Sequence, residues 1–406
     1  MRGRRRKRPD VKPCVLIVVE NLPVPPDRRV WQEARALRDA GYAVVIICPR
    51  MHGHNQPDET LEGIRIYRHR IHLQAKGFAG FFLEYASALW GETRLAWRAW
   101  WRHRFQVIHL CNPPDLLFLV AWPFKLLGVR VVYDTHDLWP EMFEAKFGRG
   151  GLARDAMYRA VRLAQRLTYA CADVVLATNE THRRCALEQG RKRPEAVFIV
   201  RTAPKIVQAA AAANPALKRQ RRFLVGYVGV MGSADGVHHL LEAAAHLVHR
   251  LERSDIQFLL LGSGPEFERL LAQRDALGLR DFVDMPGWAG DDVLFPALAT
   301  IDLGVTCDPP NGYNHSCSMN KVLEYMAFGK PQVLFDLREC RAVAGEAARY
   351  VPGQSPTALA EAIATLLDDH SARQRMGEIG ARRIRQELNW DRSVEQLCRA
   401  YARVLG

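Results

Sequence analysis

A chain of 406 residues, 48% of them hydrophobic, is too long for one ordinary core and too apolar for a disordered polymer, so two globular domains of roughly 200 residues each are expected. The net charge of +13 and a pI near 9.5 imply an anionic partner, for which nucleic acid, anionic lipid and phosphorylated small molecules all qualify. The nine cysteines stand singly with no C-x-x-C pair, which argues against a zinc site and for reduced thiols in a cytoplasmic protein.

The chain opens with MRGRRRKRPDVK, read as a basic solvated tail over residues 1–12. The apolar run after it, Cys14 to Val19, is too short for a signal peptide and ends in Glu20. The longest later run, LLFLVAWPFKLL, is interrupted by Pro123 and Lys125, so neither a secretion signal nor a transmembrane helix is expected. CVLIVVE from Cys14 predicts a buried strand and DRRVWQEARALRDAG a helix stopped at Gly41, followed by the strand YAVVIICP. GIRIYRH, QVIHLCN, VRVVYDTH, ADVVLATN and AVFIVR continue the alternation to about Arg201.

The pattern lapses over QAAAAANPALKRQRR, which places a linker at 204–222 between a first domain at 13–203 and a second at 223–385. The second series of strands is FLVGYVGVM, IQFLLLGSG, FVDMPGW, DLGVTCD, PQVLFD and ARYVP. A last helix, 386–406, is a candidate to cross back to the first domain. Short aliphatic runs alternating with helices make two doubly wound α/β sheets, with a cleft expected between their strand carboxyl edges.

Ligands of such sheets bind just past the carboxyl ends of strands. Four loops of the second domain qualify: GVMGSADG with Gly229 and Gly232, GSGPE with Gly262 and Gly264, PGWAGDD with Trp288, and DPPNGYNHSCSMNK. Glycines there would let backbone N–H groups approach a phosphate. At the end of the last loop Ser318, Met319 and Asn320 would offer amides at a helix mouth, with Lys321 as a point charge for a diphosphate. Glu324, about one turn on, could accept hydrogen bonds from the vicinal hydroxyls of a ribose. An exposed ion pair between Lys321 and Glu324 explains the same spacing.

YVGVMGSADGVHHLLEAA, FLLLGSGPE, SMNKVLEYMAFGKPQVLFDLRE, EAIATLLDDHSARQRMG and LNWDRSVEQL together resemble the nucleotide-binding domain of GT-B glycosyltransferases of the family-4 type. PVPPDRRVWQEARALRDAGYAVVIICP, with Arg28, and CNPPD and DTHDLWPE are similar to the acceptor domain of the same proteins. The resemblance implies two Rossmann-like domains facing each other across a cleft. It also implies transfer of a sugar from a nucleotide diphosphate donor, UDP-linked or other, with retention of configuration and with neither cofactor nor bound metal. Glu324 matches the second glutamate of the family's E-x7-E motif, which holds the ribose, while the first falls at Ser316. Val230 and Asp235 stand where the family often carries Arg and Lys, leaving Lys321 and Arg201 as the expected cations for the leaving diphosphate.

On the acceptor side, His136 and Asp137 lie past one predicted strand and Asn112 and Asp115 past another. A histidine or carboxylate there could orient or deprotonate the attacking hydroxyl, although a structural histidine fits equally. Glu141 is either a catalytic group or a helix N-terminal charge. Between Phe78 and Phe105 an aromatic and basic helix is expected, with Phe78, Phe82, Trp97, Trp100, Trp101, Arg98 and Arg102 as a candidate face for an anionic membrane, or else as packing onto the first sheet. The function expected is thus a sugar transferase acting on a saccharide or lipid-linked saccharide, cytoplasmic and peripheral to a membrane. A nucleotide-sugar epimerase of the same shape and a basic nucleic-acid-binding protein are the rivals, the second lacking any helix-turn-helix, zinc or RNA-binding signature.

Overall fold

The computed structural model describes residues 12–51, 53–70, 78–204 and 211–406, with side chains in the helix beginning at Phe78 described from Ala86 onward. Residues 1–11 of the basic tail, 205–210 of the linker stretch, and the side chains of Phe78 and Phe82 lie outside the described residues. The chain divides into two units, one formed by 1–200 with 394–406 and the other by 201–393.

In the first unit the strands are β1 (Cys14–Val19), β2 (Ala43–Pro49), β3 (Asp58–Leu61), β4 (Ile64–His69), β5 (Val107–Cys111), β6 (Arg130–Thr135), β7 (Val174–Ala177) and β8 (Val197–Ile199). The helices are α1 (Arg28–Asp39), α2 (Phe78–His103), α3 (Phe118–Leu126), α4 (Trp139–Phe147), α5 (Leu152–Cys171) and α6 (Glu180–Glu188). β1 is wholly aliphatic apart from Cys14 and buried along its length, as a central strand covered on both faces must be. The order is β3-β4-β2-β1-β5-β6-β7-β8, with β3 antiparallel to β4 and every other pairing parallel. Among the described strands of this unit only β3 escapes the sequence reading: DETL is polar and half exposed, an edge strand with no apolar run to betray it. α2, α3 and α5 share one core with the sheet through Leu95, Phe124 and Tyr169.

The second unit has six parallel strands, β9 (Phe223–Val228), β10 (Ile256–Leu261), β11 (Val283–Gly287), β12 (Leu303–Thr306), β13 (Gln332–Phe335) and β14 (Ala348–Val351), in the order β11-β10-β9-β12-β13-β14. Its helices are α7 (Val237–His249), α8 (Phe267–Ala276), α9 (Asp291–Thr300), α10 (Asn320–Ala327), α11 (Arg338–Ala344), α12 (Pro356–Asp368) and α13 (His370–Gln386). α14 (Trp390–Leu405) follows, and from Val394 it belongs to the first unit.

Both strand orders reverse once, between β1 and β5 and between β9 and β12. Successive crossovers leave in opposite directions from such a point, so a crevice opens at the strands' carboxyl ends. In the second unit two loop glycines fit tightly beside it. Gly262 has φ +147°, and a Cβ there would fall well inside van der Waals contact with the Gly229 carbonyl. Gly262→Ala is therefore expected to lower the unfolding free energy by about 3 kcal/mol, read from urea denaturation. A midpoint equal to the parent's would refute this packing.

Candidate functional site

The second unit's crevice is built by the ends of β9 and β12 and the start of α10. α10 begins where Met319 turns the chain out of an extended backbone, and Asn320 and Lys321 form its first turn. Lys321 is buried, and its Nζ lies 2.9 Å from Oδ2 of Asp308, just beyond β12, and 3.8 Å from Asp235. The Tyr227 hydroxyl of β9 accepts from the same ammonium at 3.3 Å and donates to the Val230 carbonyl at 2.7 Å. Burial alone would discharge Lys321, but Asp308, Tyr227 and Asp235 override it and raise its pKa well above the ordinary lysine value. The Asp235 pKa is raised as well, but there burial prevails over the pull of Lys321 and favours the neutral carboxyl.

The predicted residues come together only in part. Glu324 is half-buried one turn into α10, whereas the cation three residues before it is directed to Asp308 and Asp235. Ser316 is buried, and its hydroxyl donates to the Tyr313 carbonyl at 2.7 Å, closing the turn before α10; Ser318 follows two residues later. Three of the four loop glycines have N–H groups that are already bonded. Gly229 donates to Leu261, Gly262 to Gly287, and Gly232 to the Asp235 carboxylate, so these N–H groups are engaged inside the unit. Gly264 packs against the Met231 backbone, Trp288 is 80% exposed beyond β11, and the Arg201 backbone is pinned to the Ser393 hydroxyl at both N–H (3.1 Å) and C=O (2.9 Å).

In the first unit the crevice edge carries a charged network that sequence reasoning saw only at its rim. Asp27 caps α1 by accepting from the Val30 N–H at 3.0 Å. This start point sends Arg29 inward and leaves Arg28, the expected acceptor residue, exposed. Arg29 is a bidentate partner of Asp134 at the end of β6, with contacts of 2.8 and 2.5 Å, and reaches Glu33 at 3.1 Å and the Val200 carbonyl at 2.7 Å. Asp134 also meets His136 Nε2 at 2.6 Å. His109 donates or accepts at the Tyr401 hydroxyl on α14, 2.9 Å away, and its other ring nitrogen is 3.6 Å from Glu33. The i,i+4 spacing of Arg29 and Glu33 was the available signal, together with an acid closing a strand.

Burial would raise the Asp134 carboxyl, but the Arg29 charge and His136 hold it well below the usual range. Burial likewise favours a neutral His136, yet Asp134 overrides it and raises its pKa. A raised pKa favours the protonated ring, which donates hydrogen bonds from both nitrogens. Asn112 knits the neighbouring loops: its amide donates to Asp115 at 2.9 Å and to the Asp137 carbonyl at 2.7 Å, and its oxygen accepts from the His136 N–H at 2.7 Å. Asp115, fully buried beside the Tyr133 hydroxyl and with Oδ2 lacking a hydrogen bond, is pushed up by burial to about 7. Glu141, in the first turn of α4, is also raised by burial.

Among the described residues, His109, Cys111 and Asp134 form a group with metal-ligand spacing. Asp134 is already held by Arg29 and His136, and burial keeps the Cys111 thiol protonated, so the donors do not suit a cation. The aromatic face expected on α2 is divided. Trp97 packs 4.7 Å from Phe124 and Trp100 meets the same ring at 6.4 Å, both against the core; Arg98 pairs with Asp58 and lies over Tyr67. Trp101 and Arg102 remain exposed. No described helix is long and apolar enough to cross a membrane.

Two family descriptions match the chain: "Glycosyl transferase 4-like domain" over residues 26–202 and "Glycosyl transferases group 1" over 222–369. An alpha-D-kanosaminyltransferase of Streptomyces kanamyceticus is 30% identical over 45% of this chain, which spans about half (46%) of that relative's length. An MMP alpha-(1->4)-mannosyltransferase of Mycolicibacterium hassiacum is 27% identical over 75% of this chain and 72% of its own. Among solved structures, the sucrose-phosphate synthase of Thermosynechococcus elongatus superposes with a TM-score of 0.78 at 18% identity, covering 97% of this chain and 99% of its own. Anabaena HepE in complex with UDP-glucose gives 0.69 at 15% identity, covering 96% and 99%.

Two outcomes follow from the first unit's charges. Arg29→Met leaves Asp134 buried without its cation and is expected to cost about 3–5 kcal/mol in urea denaturation, partly recovered by adding Asp134→Asn. Asp115 binds its proton more tightly folded than unfolded, so it subtracts stability as pH rises from about 4, its unfolded value, to about 7. Asp115→Asn should thus gain on the parent across that window, and a pH-independent difference in denaturation midpoint would refute the shift.

Proposed function

Because this chain belongs to the GT-B glycosyltransferases of the family-4 type, we propose that it transfers a sugar from a UDP-sugar to a saccharide or lipid-linked saccharide, with retention of anomeric configuration. The observation that carries the reading is the start of α10 at the switch point of the second sheet. There a fully charged Lys321 is held by Asp308 and Asp235, with Glu324 one turn on. An arriving diphosphate competes with those carboxylates for the ammonium. Asp235, already pushed toward its protonated form, yields most readily, and the amide end of α10 adds its positive dipole. Glu324 accepts from the ribose hydroxyls. UDP is favoured as the nucleotide because HepE was solved with UDP-glucose.

Loss of the leaving diphosphate develops charge on its oxygens and oxocarbenium character on the sugar. Lys321 meets the first, and the acceptor hydroxyl enters on the face that the phosphate leaves. In the first unit His136, held by Asp134, orients the acceptor hydroxyl and Asn112 fixes the loop that carries it, while the hydroxyl proton passes to the departing phosphate oxygen on the same face. We take Lys321, rather than a divalent cation, as the group that neutralises the diphosphate. The reading includes a cytoplasmic location with peripheral attachment to a membrane.

Glu324→Ala is expected to weaken UDP-sugar binding by about 2–3 kcal/mol in calorimetry, and an unchanged affinity would remove the assigned site. Incubation with a panel of nucleotide sugars and saccharide acceptors should give a product whose NMR coupling matches the donor anomer, at a rate that EDTA leaves unaltered. Inverted product, or activity restored only by divalent metal, would overturn the mechanism.

A further inference from the structure

The outer side of α3 and α5 carries an apolar surface that the transfer chemistry does not use. On α3, Leu119, Trp122 and Leu126 recur at helical spacing with 47%, 58% and 73% of their surface exposed, and Leu127 extends the row. On α5, Leu163 and Leu167 are exposed four residues apart. The two helices pack together and leave an apolar groove of about 460 Å³, lined by Phe118, Leu119, Trp122, Leu167 and Ala170 with Lys125 at its side. Bare rows of this kind on a folded domain mark an interaction surface.

Charge identifies the occupant. Residues 93–107, 116–130 and 156–172, which build and border this face, contain nine arginines and lysines and not one aspartate or glutamate. Lys125 is paired with Asp173, whereas Arg130, Arg159 and Arg166 are exposed, and the adjoining end of α2 adds exposed Trp101, Arg102 and Arg104. Leucines and a tryptophan edged by guanidinium groups, with the neighbouring Asp173 carboxylate neutralised by Lys125, match the headgroup level of an anionic bilayer, where stems and rings meet acyl chains and cations meet phosphates. The groove also adjoins the acceptor residues: Phe118 is three positions after Asp115, and Thr168, next to Leu167, donates to the Asp115 carbonyl at 2.6 Å.

We propose that the α3–α5 face seats on an anionic phospholipid bilayer, with Leu119, Trp122, Leu126 and Leu163 reaching the upper acyl chains and Arg159 and Arg166 the phosphates. The proposal deepens the reading of a lipid-linked acceptor and rests on it for its purpose. It moves the membrane face away from α2, whose Trp97 and Trp100 are turned into the core.

Flotation of the full-length chain with phosphatidylcholine vesicles, with and without phosphatidylglycerol, tests it. The parent should float with the anionic vesicles and bind neutral ones about tenfold more weakly or less. Trp122→Asp with Leu126→Asp should abolish flotation, and Arg159→Glu with Arg166→Glu should remove its salt-sensitive part. All four positions are exposed or edge sites, and an unchanged thermal unfolding curve confirms an intact fold. A parent that stays in solution overturns the proposal, as do variants that float like the parent, or a Trp101→Ala chain that loses as much as the α3 variant. A parent that sediments as a dimer split by the α3 variant, with no vesicle binding, assigns the face to a second copy and overturns it too. Transfer to a water-soluble acceptor, run on the same preparations, separates the two ideas. An active chain that does not float sinks the bilayer face alone, and a floating chain that transfers to no acceptor sinks the transfer reading alone.

Discussion

Each unit depends on a reversal of strand order within a parallel sheet. Aliphatic strands covered on both faces must be joined by helices, and at the point where those crossovers change direction no helix can close over the strand ends. The polar residues of each unit concentrate at that opening: Arg29, Asn112, Asp134 and His136 around β1, β5 and β6, and Tyr227, Asp308 and Lys321 around β9 and β12. The scaffold is apolar because it must pack, and these buried charges gather where the strand order reverses.

The two openings solve the problem of buried charge differently. In the first unit one guanidinium organises two acids and, through Asp134, a histidine, so that each charged group has a fixed partner and a pKa displaced from its ordinary value. Such a network is rigid and suits orientation of a neutral hydroxyl. In the second unit a single ammonium is shared by two carboxylates, one of them raised toward neutrality, and that arrangement can exchange one anion for another. The contrast follows from donor geometry: Arg29 offers a planar fork that locks a carboxylate, and Lys321 a point charge that can turn between partners.

The strands were legible because short aliphatic runs bounded by glycine, proline and asparagine admit few other readings, and β3 was missed because it has no apolar run. The place of Lys321 and Glu324 at the start of a helix was legible through the motif. Their neighbours were not: Asp308 and Asp235 approach Lys321 from loops 13 and 86 positions away, a distance only strand register closes. Arg28 was named, whereas Arg29 is the one that joins the buried network, since the helix phase set by the Asp27 cap decides which of two adjacent arginines turns inward.

By itself, then, the amino-acid order determined the two parallel α/β sheets, their loops and the family resemblance, because period, turn residues and motif spacing are local properties. Only the tertiary structure decided which charges meet, which loop glycines have their N–H groups already engaged, and which of the aromatic helices shows its apolar side to water. Those are contacts between segments far apart in the chain, and their partners are chosen by packing rather than by neighbours in sequence.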